Sequence, residues 1–443
     1  MAPDSGHIGA GGGDERTAYV NARLIDPASG LDTPGALLNV NGKIADFGAR
    51  LFADGVPEGT AVVDCRGNCL APGLIDIRVH LREPGEEHKE TIASATQAAA
   101  AGGITSIVCL PNTHPAIDDV ALIEFIARRA RETGVVKIYP YAAITRGCKG
   151  DELTEMGMLA EAGALAFTDG TRAIGDALVM RRALSYASTH GLLIVQHAEE
   201  PALARGGAMN EGEVATRLGL PTIPAAAEVI IVERDLRLVE LTGARYHVAH
   251  VSTAAAIEAI RRAKAQGLPV TCDTAPQYFT LNETAVGDYR TFAKLSPPLR
   301  SEDDRRAVVE GLKDGIIDVI ASDHTPQDQD SKRLPFSQAE NGIIGLETLL
   351  PLALALYHRG EIGLLDLLAK LTAHPARILG MNEGRLEIGA PADLVVIDLD
   401  RPWRIDPDRL ISKSKNSPFD GHPVQGNATM TVVGRRTVFA DRP

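Results

Sequence analysis

Eight times through the middle of the chain, a short apolar run gives way to a longer helical pattern. The runs, mostly rich in β-branched residues, are GLIDIRVH (73–80), SIVCLPN (106–112), KIYPYAAI (137–144), ALAFTD (164–169), LLIVQHA (192–198), RYHVAHVS (245–252), PVTCDTAP (269–276) and DVIASDH (318–324). Ala-, Leu- and Glu-rich stretches lie near 90–101, 118–132, 152–162, 174–190, 225–242, 254–266, 301–314 and 345–380. Strands that alternate with helices imply parallel strands and right-handed crossovers. Eight such units predict an α/β chain built on a closed (β/α)₈, TIM-type barrel, which alone takes about 250 residues.

The flanks have a different texture. Residues 17–70 and 381–443 read as short strands and turns, with AYVNARLID and GALLNVNGKIADFG on one side and GRLEIGAPADLVVIDLD and ATMTVVGRRTVFADRP on the other. They are expected to form one small β-rich domain built from both chain ends, around a barrel over 71–380 and after a Gly-rich, flexible leader over 1–16.

Composition narrows the function classes. The 443 residues are 44% hydrophobic and 23% charged, an ordinary globular balance that excludes disorder over most of the chain. Lys and Arg number 45 against 58 Asp and Glu, a net charge of −13, which argues against a nucleic-acid binder, since phosphate binding needs a basic face. No apolar run reaches the ~18 residues of a membrane helix. The opening MAPDSGHIGAGGGDER lacks the basic start and apolar core of a secretory signal, so a cytoplasmic protein is expected. Five cysteines are an odd number in a large chain, so buried free thiols are expected in place of a disulfide framework or a zinc at CRGNC.

In a parallel barrel, catalytic groups sit at the C-terminal ends of the strands. Here the runs end at or near His80, Asn112, Asp169, His197, His250 and Asp323-His324. A long apolar strand has no packing reason to finish on His or Asp. Singly, each residue can be a cap or a satisfied core group; five His or Asp on five strands of one mouth point to shared metal binding by His80, Asp169, His197, His250 and Asp323. Imidazole and carboxylate without thiolate suit zinc or a similar divalent ion. Asp323, on the last strand, is the candidate general acid/base for a metal-assisted hydrolysis, with a plain ligand or helix cap as its structural alternative. His324 is placed to orient Asp323. His247, three residues before His250, is expected on the opposite face as a satisfied structural histidine. SKSKNSP (412–418) reads as a short basic loop, too small to argue for nucleic acid.

The motifs PGLIDIRVHLREPG (72–85), LPNTHP (110–115), AFTDG (166–170), QHAE (196–199), VAHVST (248–253), LSPPLRSEDDR (295–305), ASDHTP (321–326) and NGIIGLET (341–348) resemble, in letters, order and spacing, the dihydroorotase branch of the amidohydrolase superfamily. This branch is also found fused or bound to aspartate carbamoyltransferase. The resemblance spans about 18–440. It implies reversible ring closure of N-carbamoyl-L-aspartate to L-dihydroorotate, in pyrimidine synthesis. It implies metal ligands at His80, Asp169, His197, His250 and Asp323, with Asp323 also the general acid/base. Substrate contacts are implied at His80, Arg82, Asn112 and the backbone around Asn341 and Gly342. Hydantoinases and allantoinase, which carry a carboxylated lysine on the fourth strand, are disfavoured because AFTDG offers Asp169 and no lysine.

Three positions depart from the family pattern. Arg78 stands where the family's first strand has the first histidine of His-x-His, and a guanidinium has no free lone pair with which to ligate. One zinc is therefore expected in preference to two, held by His197, His250 and a carboxylate. The alternatives are that Arg78 stands in electrostatically for the lost ion, or pairs with Asp169 or Asp323 with no metal bound. Ser296 and Gln327 replace an asparagine and a histidine that contact substrate in the family. Two readings follow. One is an enzyme acting on a small molecule; the other is a non-catalytic scaffold of aspartate carbamoyltransferase. The apolar helices after residue 345 suggest a homo-oligomer.

Overall fold

The computed structural model describes residues 15–441, so most of the expected leader lies outside the described residues. The first five strands are β1 (Arg16–Asp26), β2 (Leu31–Val40), β3 (Lys43–Gly48), β4 (Ala61–Asp64) and β5 (Cys69–Pro72). The barrel follows with β6 (Leu74–Val79), β7 (Ile104–Cys109), β8 (Lys137–Pro140) and β9 (Leu193–His197). After a short parallel pair, β10 (Met209–Asn210) and β11 (Thr222–Ile223), it resumes with β12 (Arg245–Ala249), β13 (Val270–Thr274) and β14 (Val319–Ile320). The chain ends with β15 (Leu394–Arg404), β16 (Pro423–Val433) and β17 (Arg436–Ala440).

The strands of the two chain ends join in one sheet, ordered β17-β16-β15-β5-β1-β2-β3, with β4 on β1. Its own core contains Tyr19, Leu24, Leu37, Leu70, Leu394 and Val396. In the barrel, β6-β7-β8 and β9-β12-β13-β14 pair in parallel. Two joints close the ring. Phe167 bridges to Ala142 on one side and Ile194 on the other, and Val79 bridges to His324. The eight-membered barrel is thus present, but its fourth strand is reduced to one bridged residue. Gly163 and Gly170, both with positive φ, turn the chain at either end of that run and keep it short.

Two apolar layers result. Ile75, Ile77, Val108, Leu110, Val195, Ala249 and Val319 fill the barrel interior, together with Ile378 and Leu379 from the helix Ala373–Leu379. A larger shell lies between the strands and the surrounding helices. Helix starts are set locally: the side chains of Thr91, Asp119, Asp176, Thr253 and Ser301 each accept a backbone N–H of the first turn. The expected helical region over 345–380 resolves into three helices, Leu349–His358, Leu364–Ala369 and Ala373–Leu379, with Gly360 in a left-handed turn after the first. All five cysteines are buried and free. Among the described residues, no helix is long and apolar enough to cross a membrane.

Phe167 is fully buried and carries both bridges of the fourth barrel position. Phe167→Ala is expected to destabilise the fold by roughly 3–5 kcal/mol, read as a fall in the urea unfolding midpoint.

Candidate active site

The strand ends bring the polar residues to one mouth, but in pairs and not as a single ligand shell. Arg78, 2% exposed, reaches across from β6 to the residue run after β14. Its Nε donates to Asp323 Oδ1 at 2.9 Å and its Nη2 to the Gly170 carbonyl at 3.3 Å. Gln277 Nε2 donates to the other Asp323 oxygen at 3.1 Å. Burial raises the Asp323 pKa above the ordinary carboxylate value, and the Arg78 charge opposes that rise.

His197 and His250 form the second pair, with His197 Nδ1 and His250 Nε2 3.0 Å apart. Burial, and next the Arg78 charge, hold His250 well below the usual imidazole pKa, so its ring is neutral. Its Nδ1 is buried without a hydrogen-bond partner. Glu199 Oε2 lies 3.6 Å from His197 Nε2 and accepts from Ser296 Oγ at 3.0 Å, which keeps the departing residue Ser296 tied to the site. His80 is also buried and held neutral, by desolvation first and then by the charges of Arg82 and Arg78; its Nε2 has no partner.

Asp169 is turned away from these pairs. Its carboxylate accepts from the Thr145 backbone N–H at 2.9 Å and from the Thr145 hydroxyl. Its carbonyl accepts from Asn112 Nδ2 at 3.0 Å, while Asn112 Oδ1 accepts from Thr171 N at 3.2 Å. A Cβ on Gly170 would fall 1.4 Å from Asn112 Oδ1, so Asn112 has its place only because residue 170 is glycine. Arg82 donates from Nε to the Pro326 carbonyl at 3.1 Å and from Nη1 to Glu86 at 2.7 Å. Arg82, His250 and Asp323 all have positive φ, as few non-glycine residues do.

Two orientations differ from the sequence expectation. His247 does not face outward. It is in register with Val195, and both it and Ala249 alternate against Tyr246 and Val248 of the outer layer, so it points into the barrel. The odd spacing is cancelled at His250, whose φ of 39° turns the chain out of strand geometry. His247 is nevertheless fully satisfied, by Thr271 Oγ1 at 2.7 Å and Asp273 Oδ2 at 2.8 Å, and Asp273 Oδ1 accepts from the His250 backbone N–H. His324 does not orient Asp323. Its Nδ1 accepts from Gly345 N at 3.1 Å and its Nε2 faces Glu90 at 3.6 Å.

The segment SKSKNSP is a strap across the mouth and not a free basic loop. Ser412 Oγ donates to Glu90 at 2.5 Å, and Ser414 Oγ to the Lys89 carbonyl at 2.7 Å. Asn416 Nδ2 donates to the carbonyls of Thr325 and Gly342, and its Oδ1 accepts from Gln327 N. Gln327 Nε2 in turn donates to the Asn341 carbonyl at 2.8 Å. Gly342 has φ +123°, and a Cβ there would lie 2.4 Å from Thr325 Cγ2, so only glycine fits. Gln277, Thr145 and Asn416 are the residues that sequence reasoning passes over. Amides and hydroxyls off the strand ends carry no metal or proton-transfer signal.

Among the described residues, no three His, Cys, Asp or Glu side chains converge as a metal-binding group. The facing nitrogens of His197 and His250 fit one divalent ion as a pair of ligands. Asp323 is committed to Arg78 and Gln277, and Asp169 to Thr145.

A (β/α)₈ barrel with a chain-end β domain and histidine and aspartate at its strand ends defines an amidohydrolase. Residues 67–256 match the dihydro-orotase-like family model and residues 310–439 the amidohydrolase family model. The dihydroorotase of Wolbachia sp. subsp. Drosophila simulans is 50% identical over 429 residues, covering 96% of each chain. That of Pelobacter propionicus is 48% identical, covering 95% of this chain and 98% of its own. The chain belongs to the dihydroorotase family, enzymes that hydrolyse cyclic amides, and the family implies a metal cofactor. Among solved structures, the L-hydantoinase (dihydropyrimidinase) of Arthrobacter aurescens superposes with a TM-score of 0.86 at 25% identity, covering 96% of both chains. The dihydropyrimidinase of Brevibacillus agri gives 0.83 at 23%, covering 96% of this chain and 95% of its own, a likeness of fold.

The loop that leads to Asn341 is pinned by two buried lysines. Lys294 Nζ donates to the carbonyls of Ser337 and Ala339, and Lys332 Nζ to those of Thr291 and Glu340. Burial, and then the Lys294 charge, push Lys332 down from 10.5 to about 7. Between these values the unfolded chain holds the proton and the folded chain releases it, so stability rises with pH across that window. The limiting slope is about 1.4 kcal/mol per pH unit. Urea midpoints at pH 7 and pH 9.5 are expected to show this rise in the wild type and a flatter response in Lys332→Met.

Proposed function

We propose that this chain catalyses the reversible cyclisation of N-carbamoyl-L-aspartate to L-dihydroorotate, a step of pyrimidine synthesis, in the cytoplasm. The observation that carries the reading is Asp323. It is a buried carboxylate at the end of the last barrel strand, gripped at both oxygens, in a chain with dihydroorotase relatives along 96% of its length.

In the hydrolytic direction, water adds to the ring carbonyl carbon and the ring C–N bond breaks. Asp323 takes a proton from the attacking water and returns it to the departing nitrogen, so the carboxylate is regenerated each cycle. Arg82 and Asn112 supply a guanidinium and an amide for the substrate carboxylate. His80 and the backbone of Asn341 and Gly342 contact the ring side of the substrate. His197 and His250 would hold one zinc in preference to two; of the further ligands that the family likeness suggests, His80 has a free Nε2, while Asp169 and Asp323 would have to exchange Thr145 and Arg78 for the ion. A bound ion supplies Lewis-acid activation at this mouth. Neutral His80 and His250 suit that role, since a protonated imidazole has no lone pair to give.

A scaffold role beside aspartate carbamoyltransferase is the lesser reading, because His80, Asp169, His197, His250 and Asp323 are all kept and only the first family ligand position, now Arg78, is lost. Self-association and binding to aspartate carbamoyltransferase are checked together by sedimentation of the chain alone and mixed with that enzyme.

Protein purified without chelator is expected to contain about one zinc per chain and to hydrolyse dihydroorotate. Asp323→Asn should lower kcat roughly 10²–10⁴-fold, measured well below a thermal midpoint that also falls because the buried Arg78 charge loses its partner. His197→Ala should lose the zinc. No turnover from the wild type, with or without added zinc, overturns the reading.

A further inference from the structure

Arg78 is more than a partner for Asp323. Its guanidinium is fixed on two sides, with Nε on the Asp323 carboxylate and Nη2 on the Gly170 carbonyl. The third nitrogen, Nη1, is buried and has no hydrogen-bond partner. A guanidinium has no acceptor capacity and carries five N–H donors in a rigid plane, so two anchored edges set where the remaining N–H groups lie. Buried donors in folded proteins are almost always met. The unmet N–H groups of Nη1 belong to a fixed cation that pairs with the proposed proton-transfer carboxylate and lies near enough to His80 and His250 for its charge to bear on both, so they can donate to an oxygen of the ligand.

We propose that Arg78 is a catalytic residue that donates from Nη1 to the carbonyl oxygen of the cyclic amide. The inference rests on the cyclic-amide reading above and deepens it. As water adds to the carbonyl carbon, the C=O electrons move onto that oxygen, and the N–H of Nη1 meets the growing charge without giving up its proton. When the C–N bond breaks, the electrons return to re-form C=O and the hydrogen bond relaxes. The donor is held before substrate arrives, so no reorganisation is needed at the moment of reaction. The same side chain fixes Asp323, which sets the proton acceptor and the oxygen donor on one rigid group.

The test separates donating to substrate from holding Asp323. Arg78→Lys keeps a cation for Asp323 but has no second nitrogen on a planar fork. Arg78→Ala leaves a space for added methylguanidinium. With dihydroorotate as substrate, Arg78→Lys is expected to lose about 10²–10³-fold in kcat, the usual loss for one oxyanion donor, while KM changes a few-fold. Methylguanidinium should restore activity to Arg78→Ala in a saturable way, about tenfold or more, and leave Asp323→Asn unaffected. Zinc content, measured in parallel, should match the wild type in both Arg78 variants. Arg78→Lys within threefold of wild-type kcat, or a folded Arg78→Ala that methylguanidinium does not rescue, overturns the inference while leaving the dihydroorotase reading in place. A wild type without turnover removes both. If Arg78→Ala does not fold, Arg78→Lys decides by itself.

Discussion

A buried guanidinium–carboxylate pair joins the first strand of the barrel to the last. Arg78 and Asp323 are 245 residues apart in sequence and 2.9 Å apart in space. Around them the seam is stitched by His80 N on the His324 carbonyl and by Ser322 N on Asp76 Oδ1. A buried pair of this kind adds little net stability, because desolvating both charges costs about as much as their attraction returns. Losing one partner is costly, since an unpaired charge is then left inside. The pair therefore serves to place groups, and the rest of the mouth is arranged around that placement.

The site is assembled from three directions. The barrel supplies the strand-end residues, and the positive φ values of Arg82, His250 and Asp323 turn those side chains out of simple alternation. The loops supply the donors that hold them, Thr145 on Asp169 and Gln277 on Asp323. The strap at 412–417 then ties the loop after β6, the residues after β14 and the Gly342 loop to one another through Glu90 and Asn416. Motion of any one of these segments is resisted by the other two, which suits a site where small misplacement is expensive in rate.

The charge pattern at the mouth follows from burial and from one cation. Desolvation favours the neutral forms of His80 and His250, and the Arg78 charge reinforces it. The same charge works against desolvation at Asp323, where it favours the ionised carboxylate that a proton acceptor needs. One fixed guanidinium thus suits the imidazoles for a lone-pair role and the carboxylate for a base role.

Much of this was legible before any coordinate. The switch between β-branched runs and Ala-rich stretches determined a barrel of eight units, because periodicity is a local property that each segment carries in its own residues. The β texture of both ends determined the small domain, and His or Asp at strand ends marked the mouth where the candidate residues gather. What only the tertiary structure decided is which polar atoms meet. The shortening of the fourth strand to Phe167, the inward turn of His247, the choice of Asp323 over Asp169 as the partner of Arg78 and the role of SKSKNSP as a strap all depend on ring closure and on single backbone angles. Those are set by packing between segments hundreds of residues apart, and no window of sequence contains both sides of such a contact.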